Sequence, residues 1–344
     1  MGSPELDRYH LAALPEAQAR ELYELERDIH AERRPDDPWP GFDAWRRWRS
    51  VRPAHLETQH FRLRAPDGTL AGQLDVRWPK TPENRHIAEC FFAVAPGLRR
   101  QGLGSRLLAQ AAEAAEQDQR TFLAMPTHDS VPAGSAFLTA VGAKPVLEQH
   151  ENRLQLAEVD RVMLRSWIEA AETSARDYEL VFMHGPTPPE LVEEVARAVE
   201  HMNGAPRGDS VSEDVKMTPE QVSGWDEATA AAGLREFAFF ARHRATGHFV
   251  GFTNLTWNPD TAALLQQGGT AVDPAHRGHG LGKWLKASML EKVFAEIPEA
   301  RAIETENAFV NEPMLSINNR LGFRPHGTET WWEIETSRCR RGQG

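Results

Sequence analysis

Two stretches of this chain repeat each other. AVAPGLRRQGLGSRLL, Ala93 to Leu108, has its counterpart in AVDPAHRGHGLGKWLK, Ala271 to Lys286, so Arg99, Gly102 and Gly104 answer to Arg277, Gly280 and Gly282. The offset is 277 minus 99, or 178. Further on, Phe122 to Ala143 lies against Ala302 to Phe323 without a gap, and 322 minus 142 gives 180. Two matches at nearly one offset mean that one folding unit has been duplicated, and missing such a repeat would misassign the whole architecture. A chain of 344 residues, at roughly 100 to 200 per domain, also divides into two. The division expected is residues 1–157, a connecting helix at 158–176, and residues 177–344.

Each half shows the same order of patterns. In the first, Pro15 to Arg33 and Phe42 to Arg52 read as helices, and Leu56 to Arg64 with Thr69 to Arg77 as a strand pair around Pro66, Asp67 and Gly68. A strand from Ala88 to Val94 runs into the glycine-bearing turn, and the helix Leu98 to Gln117 follows, with Leu103, Leu107, Leu108, Ala111 and Ala115 on one face. Then come a strand at Thr121 to Met125, a short helix around Ser135 to Val141, and a final strand pair. In the second, Pro189 to His201 and Pro219 to Ala232 read as helices, and Glu236 to Arg242 with Phe249 to Trp257 as strands. Leu264 to Val272 leads into the second turn, and Ala302 to Thr305 and Thr330 to Glu335 close that half. Glu158 to Ala175 reads as the connecting helix, packed between the domains.

A strand that runs through a glycine turn into a helix aims backbone N–H groups and a helix N-terminus at one spot, which suits phosphate oxygens. Gly280 and Gly282 let the backbone approach a bulky anion, Gly278 eases the turn, and Arg277 and Lys283 add positive charge. Gly102, Gly104, Arg99 and Arg100 do the same in the first half. A dinucleotide-binding turn is the competitor, but its third glycine is displaced, and neither a series of parallel strands nor a ribose-binding acid follows.

On these residues the chain resembles the GCN5-related N-acetyltransferase (GNAT) family, whose signature Q/R-x-x-G-x-G/A opens a helix after an apolar strand. Both halves carry it, and a second signature, a strand and short helix ending in a Gly-Phe-like pair, appears as Leu321, Gly322, Phe323 and more loosely as Val141, Gly142, Ala143. The resemblance implies an α/β fold of the α+β mixed-sheet type: two tandem GNAT-like domains, each a splayed mixed sheet flanked by helices. It implies acetyl-CoA as acyl donor, its pyrophosphate on Arg277, Gly278, His279, Gly280, Leu281, Gly282 and Lys283, and on Arg99, Arg100, Gln101, Gly102, Leu103, Gly104 and Ser105 in the first half. The acetyl carbonyl then lies by the backbone amide at Val272 or Val94, and Asn307 and Asn311 meet the pantetheine arm or the acceptor pocket. An amine attacks the thioester directly.

The second half is the expected catalytic one, because Asn307, Asn311, Met314 and Asn318 face Thr127, Val131, Gly134 and Leu138 in the first, whose acceptor site is degenerate. Many family members carry a tyrosine that protonates the thiolate where this chain has Asn318 and Leu138, and its tyrosines, Tyr9, Tyr23 and Tyr178, all lie elsewhere. Asn318 and Glu306 are the catalytic candidates, with Glu304 alongside. The family's strand glutamate falls here on Ala88 and Gln266, and Glu89 is one step off, on the opposite side of its strand.

Lys plus Arg is 39 and Asp plus Glu 50, a formal charge of -11 that disfavours nucleic acid and suits a cationic partner. Asp209, Glu213 and Asp214 in the loop Asn203 to Thr218, and Asp36 and Asp37, are the acidic residues placed to attract one. With Cys90 and Cys339 alone, neither a disulfide framework nor a four-cysteine metal site is available, and His276 and His279 lack a third partner, so no metal is expected. No apolar stretch reaches membrane-spanning length. The expectation is a cytoplasmic monomer or homodimer that acetylates a primary amine of a small, cationic metabolite or amino-sugar antibiotic. A protein amine as acceptor and a non-catalytic acyl-CoA sensor are the alternatives.

Overall fold

A computed structural model describes residues 4–308 and 310–339. The chain forms two compact units, one of residues 1–149, 207–213 and 327–344, the other of 150–206 and 214–326. Each is a mixed sheet flanked by helices.

In the first unit the strands are β1 (Glu5–Tyr9), β2 (Leu56–Arg64), β3 (Leu70–Pro79), β4 (Ile87–Val94), β5 (Phe122–His128) and β12 (Arg324–Glu335, from Gly327 onward), in that spatial order. The first four pair antiparallel, whereas β4 and β5 run parallel across the helical crossover. One face carries α1 (Glu16–Arg33) and α2 (Phe42–Ser50), whose Ala19, Leu22 and Trp45 bury at helical spacing against Tyr9 and Leu11. On the other face α3 (Leu103–Gln117) sinks Leu103, Leu107, Leu108, Ala111 and Ala115 into a core shared with Leu74, Val76 and Leu138 of α4 (Pro132–Ala140). Thr330 to Glu335, expected to close the second half, instead pair with β5, from Glu329 opposite His128 to Glu335 opposite Phe122. The backbone donors and acceptors on that side of β5 need a partner strand, and this distant segment supplies one.

The second unit has the order β6 (Lys144–Gln155, from His150 onward), β11 (Ala302–Ala308), β10 (Leu264–Val272), β9 (Phe249–Trp257), β8 (Arg235–His243) and β7 (Tyr178–His184). The first strand of each half, β1 and β7, was not foreseen; both are short and mark their presence by long-range pairing rather than by local pattern. α6 (Val192–Val199) is shorter than expected and is flanked by 3-10 turns, and α7 (Pro219–Ala231) starts on a Thr218–Gln221 capping box. Both pack on one face. On the other face lie α8 (Leu281–Glu296), α9 (Glu312–Leu321) and the connecting helix α5 (Arg161–Ser174), capped by Asp160. α5 buries Leu164 and Trp167 against the α8 side of this unit, while Val162 is exposed.

Candidate active site

In each unit one parallel strand pair opens. β4 and β5 pair from Ile87 opposite Phe122 to Glu89 opposite Ala124, and then β4 runs on to Val94 unpaired with β5. β10 and β11 pair from Leu264 opposite Ala302 to Gln267 opposite Thr305, and β10 continues through a bulge at Gln267–Thr270 to Val272. A wedge results, with a glycine turn at its mouth.

The two turns share a plan. A 3-10 turn, Pro96–Leu98 or Pro274–His276, leads to an arginine whose Nε donates to the last strand carbonyl: Arg99 to Val94 at 3.2 Å, Arg277 to Val272 at 3.1 Å. Each arginine thus braces its turn to its strand. Gly102 and Gly280 then cap their helices at φ 77°, a left-handed conformation that glycine adopts without a Cβ clash. Neither offers a side-chain cap, so the first N–H groups of α3 and α8 are left for an incoming acceptor. Gly104 and Gly282 serve packing as well, since a Cβ there meets the Phe137 ring at 3.3 Å or Ile317 at 3.2 Å. The turns differ in strain: Arg100 stands at φ 64° where the second turn has Gly278 at 87°.

The remaining expected residues divide. Leu103 and Leu281 are buried, so only their backbone N–H groups face the turn, and Gln101 and Ser105 flank the Gly102 cap. Lys283 lies 5.7 Å from the Trp167 ring, toward α5 rather than the turn. The His279 carbonyl accepts from the Ser174 hydroxyl, and His276 Nδ1 bonds the Tyr178 hydroxyl at 3.0 Å. Asn311 caps α9 by accepting from Met314 N–H, and Asn318 donates to Asn307 Oδ1 at 2.6 Å. Asn318 is 1% exposed and Glu306 is exposed; alternation puts Glu306 on the strand face opposite Asn307, so the two catalytic candidates do not converge. Glu304 is buried against Arg153. Glu89 pairs with Arg77, and Gln266 is exposed. Asp209 and Glu213 belong to the first unit, where Glu213 accepts from the Asn84 N–H at 2.8 Å. A cavity of about 580 Å³ lined by Trp78, Lys80, Arg85 and Arg120 lies on the first unit, away from its turn.

Three residues, two in the second wedge and one on the sheet face behind it, escaped the sequence reading. Gln267, at its base, donates to Thr253 Oγ1 at 3.0 Å and to the Asn254 carbonyl at 2.7 Å. Lys286 of α8 is 2% exposed, with Nζ 3.5 Å from Gln267 Oε1, and burial pushes its ammonium down to about 7. On the opposite face Glu236 accepts from Asn254 Nδ2 at 2.9 Å; burial raises its carboxyl, Asn254 pulls it back, and Asp226 raises it further, for a net upward shift. A signal for Lys286 stood in the repeat itself, where it answers to Leu108.

The profile of the Acetyltransferase (GNAT) family matches residues 19–135 and 209–323. None of the curated proteins searched matches the chain. Among solved structures, a tandem GNAT protein from the clavulanic acid biosynthesis pathway, without AcCoA, superposes with a TM-score of 0.79 at 25% identity, covering 97% of this chain and 99% of that one. A GCN5-related N-acetyltransferase from Sphaerobacter thermophilus shares the fold at TM-score 0.63 and 16% identity, over 97% and 96% of the two chains. A GCN5-related glucosamine N-acetyltransferase region of a fungal multi-domain β-N-acetylglucosaminidase shares it at 0.66 and 12%, over 97% of this chain and 38% of that one. No helix among the described residues is long and apolar enough to cross a membrane.

Proposed function

The chain belongs to the acetyltransferase (GNAT) family, with both of its halves matched, and from that premise we propose that it transfers acetyl from acetyl-CoA to a primary amine of a small, cationic metabolite or amino sugar. The working site is the wedge of the second unit. The observation that carries this is the uncapped N-terminus of α8 at the mouth of a wedge that is polar within. A pyrophosphate meets the first N–H groups of α8 behind Gly280, and Arg277 holds the turn in place through Val272. The acyl arm enters between β10 and β11, with the thioester carbonyl at the backbone near Val272 and with Asn307 and Asn311 beside the arm.

Glu236 is the base in this reading. Its raised proton affinity brings it nearer the operating pH, as a general base requires, and it lies on the sheet face opposite α8. The amine attacks the thioester carbonyl carbon and loses a proton toward Glu236, and the C–S bond breaks with its electron pair on sulfur. The small-molecule pathway of the tandem relative agrees with a small acceptor.

Along the chain, residues 1–157 and 177–344 are the two repeats and 158–176 the connector. We assign the first repeat to CoA holding without turnover, because its turn is intact while Leu138 and Val131 replace Asn318 and Asn311. Calorimetric titration with acetyl-CoA, comparing the unaltered chain with Gly280→Glu and Gly102→Glu, tests both assignments. Loss of one site in each variant, with thiol release from a panel of polyamines and aminoglycosides abolished by Gly280→Glu alone, is the expected outcome. A folded chain that binds no acetyl-CoA overturns the reading.

A further inference from the structure

The base of the second wedge is polar where the same place in the first is apolar. Strand register gives the equivalences: Leu74 opposes Phe92 as Thr253 opposes Thr270, and two residues on, Val76 opposes Cys90 as Leu255 opposes Gln267. The repeat adds Leu108 against Lys286, and the gapless segment adds Met125 against Thr305 and Leu138 against Asn318. Leu74, Cys90, Leu108, Met125 and Leu138 all belong to one apolar core. Their counterparts Thr253, Gln267, Lys286, Thr305 and Asn318 include a buried ammonium.

Lys286 is held but not neutralised. Its Nζ faces Gln267 Oε1, whose amide is anchored by Thr253 and Asn254, and it stands 5.3 Å from the Phe323 ring. Burial lowers its hold on the proton, and among the described residues no carboxylate forms an ion pair with it. The charged neighbours are engaged elsewhere: on α5 and α8 Arg161 pairs with Glu291, and Lys283 and Arg320 of α9 lie over Trp167. On β8 Arg235 lies over Trp257, Glu236 is on the far face with Asn254, and Arg242 pairs with Glu179. On β11 Glu304 pairs with Arg153. β9 and β10 present Thr253, Asn254, Gln267 and Thr270, all neutral. Leucine fits this position in the first unit, so packing does not call for a lysine. What a buried, uncompensated ammonium lacks is an anion, and one forms in the wedge when a thioester is cleaved.

We propose that Lys286 donates the proton to the leaving CoA thiolate in the second unit, held toward the base of the wedge by Gln267. This rests on reading that wedge as the acyl-donor site. As the C–S bond breaks, sulfur takes the bond's electron pair and then a proton from Nζ, giving the free thiol and a neutral lysine. Solvent reprotonates Nζ after the products leave, and the proton of the attacking amine has gone to the base. A thiol whose ordinary pKa is about 8.5 holds the proton more tightly than this lysine does, so the transfer runs downhill. It also supplies the acid that the chain otherwise lacks where Asn318 stands.

The test needs no knowledge of the acceptor. CoA bound to the full chain carrying Gly102→Glu, so that the second turn alone is open, is titrated by the ultraviolet absorbance of its thiolate, with Lys286 intact or changed to Met or Arg. Below about pH 7, where Nζ keeps its proton, thiolate is about tenfold more abundant on the chain with Lys286 intact than in free CoA; Met abolishes this, and Arg, charged throughout, carries it to higher pH. Identical thiol titrations with Lys286 and with Met overturn the proposal. Should the Met variant not fold, the Nζ resonance of Lys286 in the chain with Lys286 intact gives the answer: its titration moves up on binding CoA and not on binding desulfo-CoA, which lacks the thiol, and equal titrations with the two overturn the proposal. Absence of CoA binding with Lys286 intact would instead overturn the reading of the wedge, a separate result.

Discussion

Behind the Gly102 turn the first unit closes its wedge over Leu74, Cys90, Leu108, Met125 and Leu138, whereas behind the Gly280 turn the second buries Thr253, Lys286, Thr305 and Asn318 around a half-buried Gln267. The opposite sheet face differs in the other direction. In the first unit Arg49 bonds Glu26 at 2.9 Å and Asp75 at 2.7 Å, and Asp75 also holds His60. Burial tends to raise the Asp75 carboxyl, but Arg49 and His60 hold it well below the usual range, so it is a fixed anion and a poor base. Its counterpart in the second unit is the neutral Asn254, whose hydrogen bond only partly offsets the burial that raises the proton affinity of Glu236. In the first unit the Arg49 cluster is ion-paired and the floor is apolar; the second keeps two titratable groups, Lys286 and Glu236, on opposite faces of its sheet. Duplication thus retained the glycine turn twice and the two titratable groups once.

The sharpest way to break this comparison is to exchange its defining pair. Leu108→Lys puts an ammonium where Cys90 stands in place of Gln267, with no oxygen to meet it. Lost packing and an uncompensated buried charge together should destabilise the first unit by about 5 kcal/mol, read by urea unfolding at pH 7. A loss under about 1 kcal/mol would show that the first floor accommodates charge, and the distinction would fall.

The reciprocal change, Lys286→Leu, should stabilise. The folded state holds this proton more weakly than the unfolded chain, whose lysine titrates near 10.4, so between about 7 and about 10 the unfolded state carries the extra proton and stability rises with pH. Lys286 therefore detracts most at and below neutrality. Leu should add on the order of 4 kcal/mol at pH 7 and progressively less toward pH 10. A gain that does not vary with pH would mean that the lysine is charged in the folded state throughout.

Much of this was legible in the sequence, for reasons that also explain what was not. The glycines and arginines of the turns are visible because a left-handed cap and a close helix approach tolerate few residues, so both copies keep Gly102 with Gly104 and Gly280 with Gly282. Most helices and central strands carry their own periodicity. The partner of β5 does not, since which edge a strand joins is decided by distant chain, and Thr330 to Glu335 look the same in either unit. Gln267 was hidden by the bulge before Thr270. That one-residue insertion turns Gln267, rather than Gln266, toward α8, and no local pattern announces it. Glu306 adjoins Asn307 in sequence, but strand alternation sends the two to opposite faces.

The smallest effect separates the floor's polar scaffold from its charge. Asn318 donates to Asn307, but its Oδ1 is buried without a hydrogen-bond partner among the described residues, whereas the first unit has Leu138 and a Thr127 whose hydroxyl accepts from Trp332. Asn318→Leu removes the orphaned oxygen and gains apolar burial, yet it leaves Asn307, 9% exposed, short of its donor. These terms are each about 1 kcal/mol and oppose one another, so the single change should shift stability by no more than about 1 kcal/mol. Adding Asn307→Thr recreates the first unit's pair and should recover about 0.5–1 kcal/mol, giving a measurable coupling in a double-mutant cycle. If Asn318→Leu alone costs more than about 2 kcal/mol, its Oδ1 is engaged in the folded chain. The second floor would then be a closed polar network, with the lysine as one satisfied member of it.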